Sequence, residues 1–149
     1  MKLAFAADHR GFSLKEYLKG VAAELGHDVA DFGTDGEASC DYVDFARAAA
    51  AAVAGGDADR GVLVCATGLG MSIAANKVPG VRAALCWTVY MARLSRAHND
   101  ANVIVFSGDQ TAPRYAAEML TAWLSTPFEG GRHGRRVGKI KTIEEDYAK

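Results

Sequence analysis

Proline is scarce in this chain, with 3 in 149 residues, and no apolar stretch runs for long. No linker-like or low-complexity segment divides it, so a single domain over residues 1–149 is expected. The opening Met-Lys-Leu-Ala-Phe-Ala-Ala-Asp-His has too few apolar residues for a signal-peptide core or a membrane span. Charge of one sign is missing as well: 17 Lys and Arg stand against 18 Asp and Glu, a net charge of −1. There is no global field to draw in nucleic acid or an acidic membrane, and any anion site must be local. Cysteine is limited to Cys40, Cys65 and Cys86, an odd set without a CxxC pair. That pattern fits reduced thiols and a cytoplasmic location better than a disulfide framework. His9, His27, His98 and His133 show no ligand spacing with each other or with Cys65, so no metal is expected.

Half of the residues are hydrophobic, enough for a full core without staples. Short apolar runs predict strands over 2–7, 27–32, 61–66, 81–86 and 102–106. Helical spacing fills the intervals: Leu14 to Leu25, a helix capped by Asp41 through Ala54, one from about Met71, Thr88 to Ala97, and Thr111 to Leu124. A charged tail from about Arg135 to Tyr147 reads as a further helix, inside a basic C-terminal segment from about Arg132. Strands and helices in alternation predict a Rossmann-like, three-layer α/β/α sandwich around a five-stranded parallel sheet. In such sheets ligands gather beyond the carboxyl ends of the strands, which directs attention to Asp8, His9, Thr34, Cys65, Thr67, Trp87, Ser107 and Asp109.

The segment Gly61 to Val78 is the most informative of these junctions. An apolar run ends at Cys65, a turn follows with Gly68 and Gly70, and a small-residue helix begins. Backbone N–H groups converge at such a turn, and a thiol at its entrance meets the same positive field. Thr67 and Ser72 add hydroxyls around a developing oxyanion. A nucleotide cofactor fits poorly: the Walker pattern is absent, and Ile73 stands where the dinucleotide fingerprint wants Gly or Ala. By contrast Cys40 and Cys86 read as loop and core residues. Asp8-His9 can cap the next helix or handle protons at the ligand rim. His98 fits a helix C-terminus for structural reasons alone. Arg132 and Arg136, one helical turn apart beyond Gly130-Gly131, can clamp a phosphate or simply line a solvated face.

Taken together, Asp8-His9-x-Gly11-Phe12, Gly33-Thr34, Asp41-Tyr42, Cys65-x-Thr67-Gly68-x-Gly70-x-Ser72-Ile73-Ala74-Ala75-Asn76-Lys77, Leu94-Ser95-Arg96-x-His98-Asn99-Asp100-x-Asn102 and Glu129-Gly130-Gly131-Arg132-His133 resemble the B-type ribose-5-phosphate isomerases. That family also includes allose-6-phosphate and galactose-6-phosphate isomerases. The resemblance implies a homodimer, with a tetramer as a further assembly, whose active sites are shared between subunits and need no cofactor or metal. Cys65 would take the proton from the carbon beside the carbonyl, Thr67 would move a proton between the two oxygens, and Gly68, Gly70 and Ser72 would hold the enediolate. His98 of a second subunit, with Asp8, would open the sugar ring, while Tyr42 and Asn99 would contact the substrate. His9, Arg132 and Arg136 would bind the phosphate, with His133 a weaker candidate. The chain departs from the family pattern at Ala66, Val43, Trp87-Thr88-Val89 and Asp109. Asp109 falls where many members carry an arginine, and a carboxylate there repels a phosphate unless it turns away or pairs with an arginine.

Overall fold

Strands that are apolar along their whole length need cover on both faces. In the computed structural model, which describes residues 1–148, β1 (Lys2–Ala7), β2 (Asp28–Asp31), β3 (Arg60–Cys65), β4 (Ala83–Leu85) and β5 (Val103–Ser107) form one sheet in the order β2-β1-β3-β5-β4. Every pairing is parallel. The helices are α1 (Phe12–Glu24), α2 (Tyr42–Ala54), α3 (Leu69–Ala75), α4 (Val89–Ala97), α5 (Pro113–Ser125) and α6 (Gly131–Tyr147). The expected three-layer α/β/α arrangement is the architecture of the chain.

Alternation along the strands sorts the core into two halves. Leu3, Phe5, Val62, Val64, Ile104 and Phe106 pack with Leu14 and Leu18 of α1 and Met119, Leu120 and Trp123 of α5. Ala4, Ala6, Leu63, Cys65, Val103 and Val105 take the opposite face, with Ala46, Ala49 and Ala50 of α2 and Met71 and Ala75 of α3. Cys65 therefore points toward the α2–α3 layer because it is in phase with Leu63. The chain winds from β1 outward to β2, then returns past β1 to β3, so its switch point lies between the carboxyl ends of β1 and β3. At that edge Gly11 permits a close approach: a Cβ there would lie 2.3 Å from the Val64 carbonyl oxygen.

Lys15 ties α1 to the neighbouring strand and loop. Its side chain is fully buried, and Nζ donates to both Asp31 carboxylate oxygens at 2.8 and 2.7 Å and to the Thr34 carbonyl at 2.9 Å. Burial pushes the Asp31 carboxyl up, but the Lys15 and Lys19 hydrogen bonds outweigh it and hold the group below its ordinary value.

Three local expectations differ from the structure. Asp41 occupies the N-cap position of α2, yet its side chain makes no capping bond. At α4, Thr88 is the N-cap rather than the first helical residue, its hydroxyl accepting from the Met91 N–H at 3.1 Å. The last helix starts at Gly131 rather than near Arg135, since Gly130 and Gly131, both at positive φ, make its cap and first residue. Low glycine propensity hides such a start from a periodicity reading.

Candidate active site

Beyond Cys65 the chain turns back into α3, and Gly68 makes the turn at φ +79°. A Cβ at Gly68 would lie 2.4 Å from Leu85 Cδ1 and 3.1 Å from the Phe106 carbonyl oxygen, so the turn is packed tightly as well as left-handed. The Thr67 hydroxyl accepts from the Leu69 N–H at 3.3 Å, and the Ser72 N–H is bonded back to the Gly68 carbonyl at 3.0 Å. The intervening N–H groups of Gly70 and Met71 belong to the first turn of α3 and have no acceptor within the helix. The last residue of β5 and the one after it brace the turn from behind: Gly108 N–H donates to the Cys65 carbonyl at 2.8 Å, and Ser107 Oγ donates to the Ala66 carbonyl at 2.6 Å. Cys65 itself is only 4% exposed. Tyr42, the first residue of α2, lies against the turn, and a Cβ at Gly70 would come within 2.6 Å of its ring.

Asp8 and His9 flank this turn from the end of β1. One Asp8 carboxylate oxygen accepts from the N–H groups of Arg10 and Gly11 at 3.0 and 2.9 Å, which shapes the entrance to α1. His9 Nδ1 accepts from the Cys40 N–H at 3.3 Å. An acceptor at Nδ1 leaves Nε2 as the protonated nitrogen of a neutral ring, a donor suited to an anion. Asp109 is paired: Arg10 Nη2 lies 2.6 Å from its Oδ2. The repulsion that an unpaired carboxylate would exert at the rim is therefore offset by an arginine that no sequence motif singles out. Cys86 is a core thiol, and burial pushes it up to about 11. It is neutral at ordinary pH.

His98, Asn99, Arg132 and His133 assemble elsewhere. His98 caps the C-terminus of α4, and its ring stacks on that of His133, with centroids 4.0 Å apart and planes within 5°. Glu129 Oε2 lies 3.7 Å from His98 Nε2 and 3.5 Å from His133 Nε2. Burial, His98 and Arg132 together hold His133 below the ordinary imidazole value, against the pull of Glu129. Among the described residues, this trio offers ligand atoms within 4.8 Å of one another. Parallel rings cannot both direct a lone pair at one ion, because no point lies in both ring planes. As arranged, the trio is a stacked imidazole pair with a carboxylate across its edge rather than a metal centre.

These two groups of residues lie at opposite ends of the strands. Cys65 pairs with Ser107 at the carboxyl end of β5, whereas α4 runs back to the amino end, where β5 begins at Val103. The strand between them spans about 13 Å at the usual rise, more than an imidazole can reach. Within one chain, His98 therefore does not meet Cys65. Arg136, one turn beyond Arg132 on α6, is exposed.

The parallel α/β sheet thus carries a thiol, a hydroxyl and unpaired amides on one glycine turn, with imidazole and arginine groups held apart from it. The chain belongs to the Ribose/Galactose Isomerase family, whose model matches residues 3–140. It is 46% identical over 144 residues to ribose-5-phosphate isomerase B of Escherichia coli (strain K12), covering 97% of each chain. It is also 39% identical over 146 residues to a D-erythrulose-4-phosphate isomerase of Pectobacterium atrosepticum, covering 97% of this chain and 95% of the relative. Among solved structures, the ribose-5-phosphate isomerase B of Clostridium thermocellum superposes with a TM-score of 0.97 at 48% identity, over 99% of both chains.

Proposed function

We propose that the chain interconverts D-ribose 5-phosphate and D-ribulose 5-phosphate through a cis-enediolate, with Cys65 as the base. The observation that carries this reading is the Cys65–Ser72 turn, where a thiol, the Thr67 hydroxyl and the unpaired Gly70 and Met71 amides share one rim. The Cys65 thiolate takes the proton from C2 of the open-chain aldose, and the C–H electron pair forms the C1–C2 double bond as O1 gains negative charge. Thr67 passes the hydroxyl proton of O2 to O1, and the thiol returns its proton to C1. Hydrogen moves within one molecule, so the step calls for no redox cofactor. Amides aimed at the enediolate stabilise the charge that develops on the oxygens.

His98 and Asp8 serve ring opening, Tyr42 and Asn99 contact the sugar, and His9, Arg132 and Arg136 hold the phosphate. Because His98 and Cys65 of one chain lie at opposite ends of the strands, the working site is built across a homodimer. The exposed apolar residues of α6 support that assembly: Ile140 is 40% and Ile143 58% exposed, and His133 is the only buried residue of the helix. A reducing cytoplasmic location suits its three free cysteines.

A second reading keeps the chemistry and shortens the sugar to four carbons. It is favoured by the likeness to a D-erythrulose-4-phosphate isomerase and by the Arg10–Asp109 pair at the rim. Comparing kcat/KM for four-, five- and six-carbon phosphosugars, with and without a chelator, separates the two. The pentose should be the best substrate, and chelation should leave its rate unchanged. A clear preference for a tetrose phosphate would transfer the assignment to the second reading.

A further inference from the structure

Under the isomerase reading, on which this inference rests, an acid must open the aldose ring before Cys65 can act. Ribose 5-phosphate closes through O4 onto C1, whereas ribulose 5-phosphate has its C5 oxygen occupied by phosphate and stays open. Ring opening is thus a demand of the aldose alone.

The segment before α6 is fastened to the helix that carries His98. Glu129 N–H donates to the Ala97 carbonyl at 3.0 Å, so the backbone of Glu129 sits beside the end of α4. His133 N–H donates to the Gly130 carbonyl at 3.0 Å, which folds the first turn of α6 back over the same point. The His98 and His133 rings then stack in parallel, and one Glu129 oxygen lies near the Nε2 atoms of both. His133 is 6% exposed and has Arg132 Nε on its Nε2 at 3.5 Å, whereas His98 keeps a third of its side-chain surface open, at 34%. The remaining charged groups around the stack are Arg132 and Arg136, both cationic. Glu129 is therefore the anion of the cluster, and the exposed His98 is the member able to exchange a proton with a ligand.

We propose that Glu129 is a positioning residue for His98, holding its imidazole through the stack with His133 in the orientation that hands a proton to the ring oxygen of the aldose. In that step the His98 proton moves to O4, and the C1–O4 bond breaks with its electron pair going to O4. The anomeric O1–H proton passes to Asp8 of the other subunit's site as the C1–O1 double bond forms. Solvent then restores both groups. His133 serves as the buried platform of the stack rather than as a phosphate ligand.

Glu129→Gln removes the charge and keeps the shape; the side chain is 58% exposed, so the fold should persist, and a thermal melt checks that it does. Two rates are measured on the dimeric enzyme in deuterium oxide by proton NMR: conversion of ribose 5-phosphate, and exchange of the C1 proton of ribulose 5-phosphate with solvent. Exchange needs Cys65 but no ring opening. The variant should convert the aldose at least about tenfold more slowly, a part of the roughly 10²–10⁴ that general acid–base catalysis supplies, while exchange stays near the wild-type rate. Equal loss of both rates, or loss of neither, would overturn the role of Glu129. Absence of both conversion and exchange in the wild-type enzyme would instead remove the isomerase reading, and this inference with it.

Discussion

Replacing Cys65 with alanine is expected to lower turnover by roughly 10²–10⁴-fold, the range that a positioned base contributes. The fold should be little affected, because Cys65 is a small side chain in a half of the core that is rich in alanine, with Ala4, Ala6, Ala46 and Ala75 among its members. Removal of one sulfur atom from such a setting leaves a small gap, and the brace from Gly108 and Ser107 acts on the backbone carbonyls of Cys65 and Ala66, not on the thiol. Serine at the same position supplies a hydroxyl of similar shape that ionises far less readily than a thiol, so Cys65→Ser should also be poor. Circular dichroism and thermal melting would establish that the fold persists, and steady-state rates in both directions would show the loss. Retention of turnover within a few-fold would exclude Cys65 as the base.

Gly68→Ala is the second large effect, and it reaches stability and turnover together. A φ of +79° is strained for any residue with a Cβ, at a cost of about 1–3 kcal/mol. Leu85 Cδ1, 2.4 Å from where the new methyl would sit, can swing aside, but the Phe106 carbonyl at 3.1 Å belongs to the central sheet and gives little. Relief must come from the turn itself, which carries the amides of Gly70 and Met71. Loss of one oxyanion donor typically lowers turnover by roughly 10²–10³-fold, so kcat should fall by that order. The melting temperature should drop by several degrees. An unchanged kcat in a destabilised variant would show that the turn is structural and holds no developing charge.

Much of this arrangement can be read from residues alone because its strands are continuous apolar runs bounded by glycine or charge. β1 and the end of α2 fall where expected, and Cys65 closes β3 at the glycine turn. Features that depend on residues far apart in the chain are not legible in this way. Arg10 and Asp109 are separated by 99 positions, and only the β1-β3-β5 order brings the loops after β1 and β5 together. Asp109 reads as an isolated negative charge because its partner has no local signature. Glu129 is hidden similarly: its importance lies in a stack between His98 and His133, which sit on different helices. Lys15 is fully buried on Asp31 and the Thr34 carbonyl, a placement that no spacing in the sequence announces. In each case the deciding partner is supplied by topology rather than by spacing.

Division of the site between two chains is the central claim, and mixing two inactive proteins tests it directly. Toward ribose 5-phosphate, Cys65→Ala and His98→Ala homodimers are each expected to be nearly inactive. After they are unfolded together and refolded as an equal mixture, about half of the dimers should be heterodimers. Each heterodimer would hold one site with both residues intact and one with neither, so about one quarter of the wild-type activity should return. Failure of any activity to return, with heterodimers verified by mass, would mean that Cys65 and His98 act within one chain and would contradict the shared site.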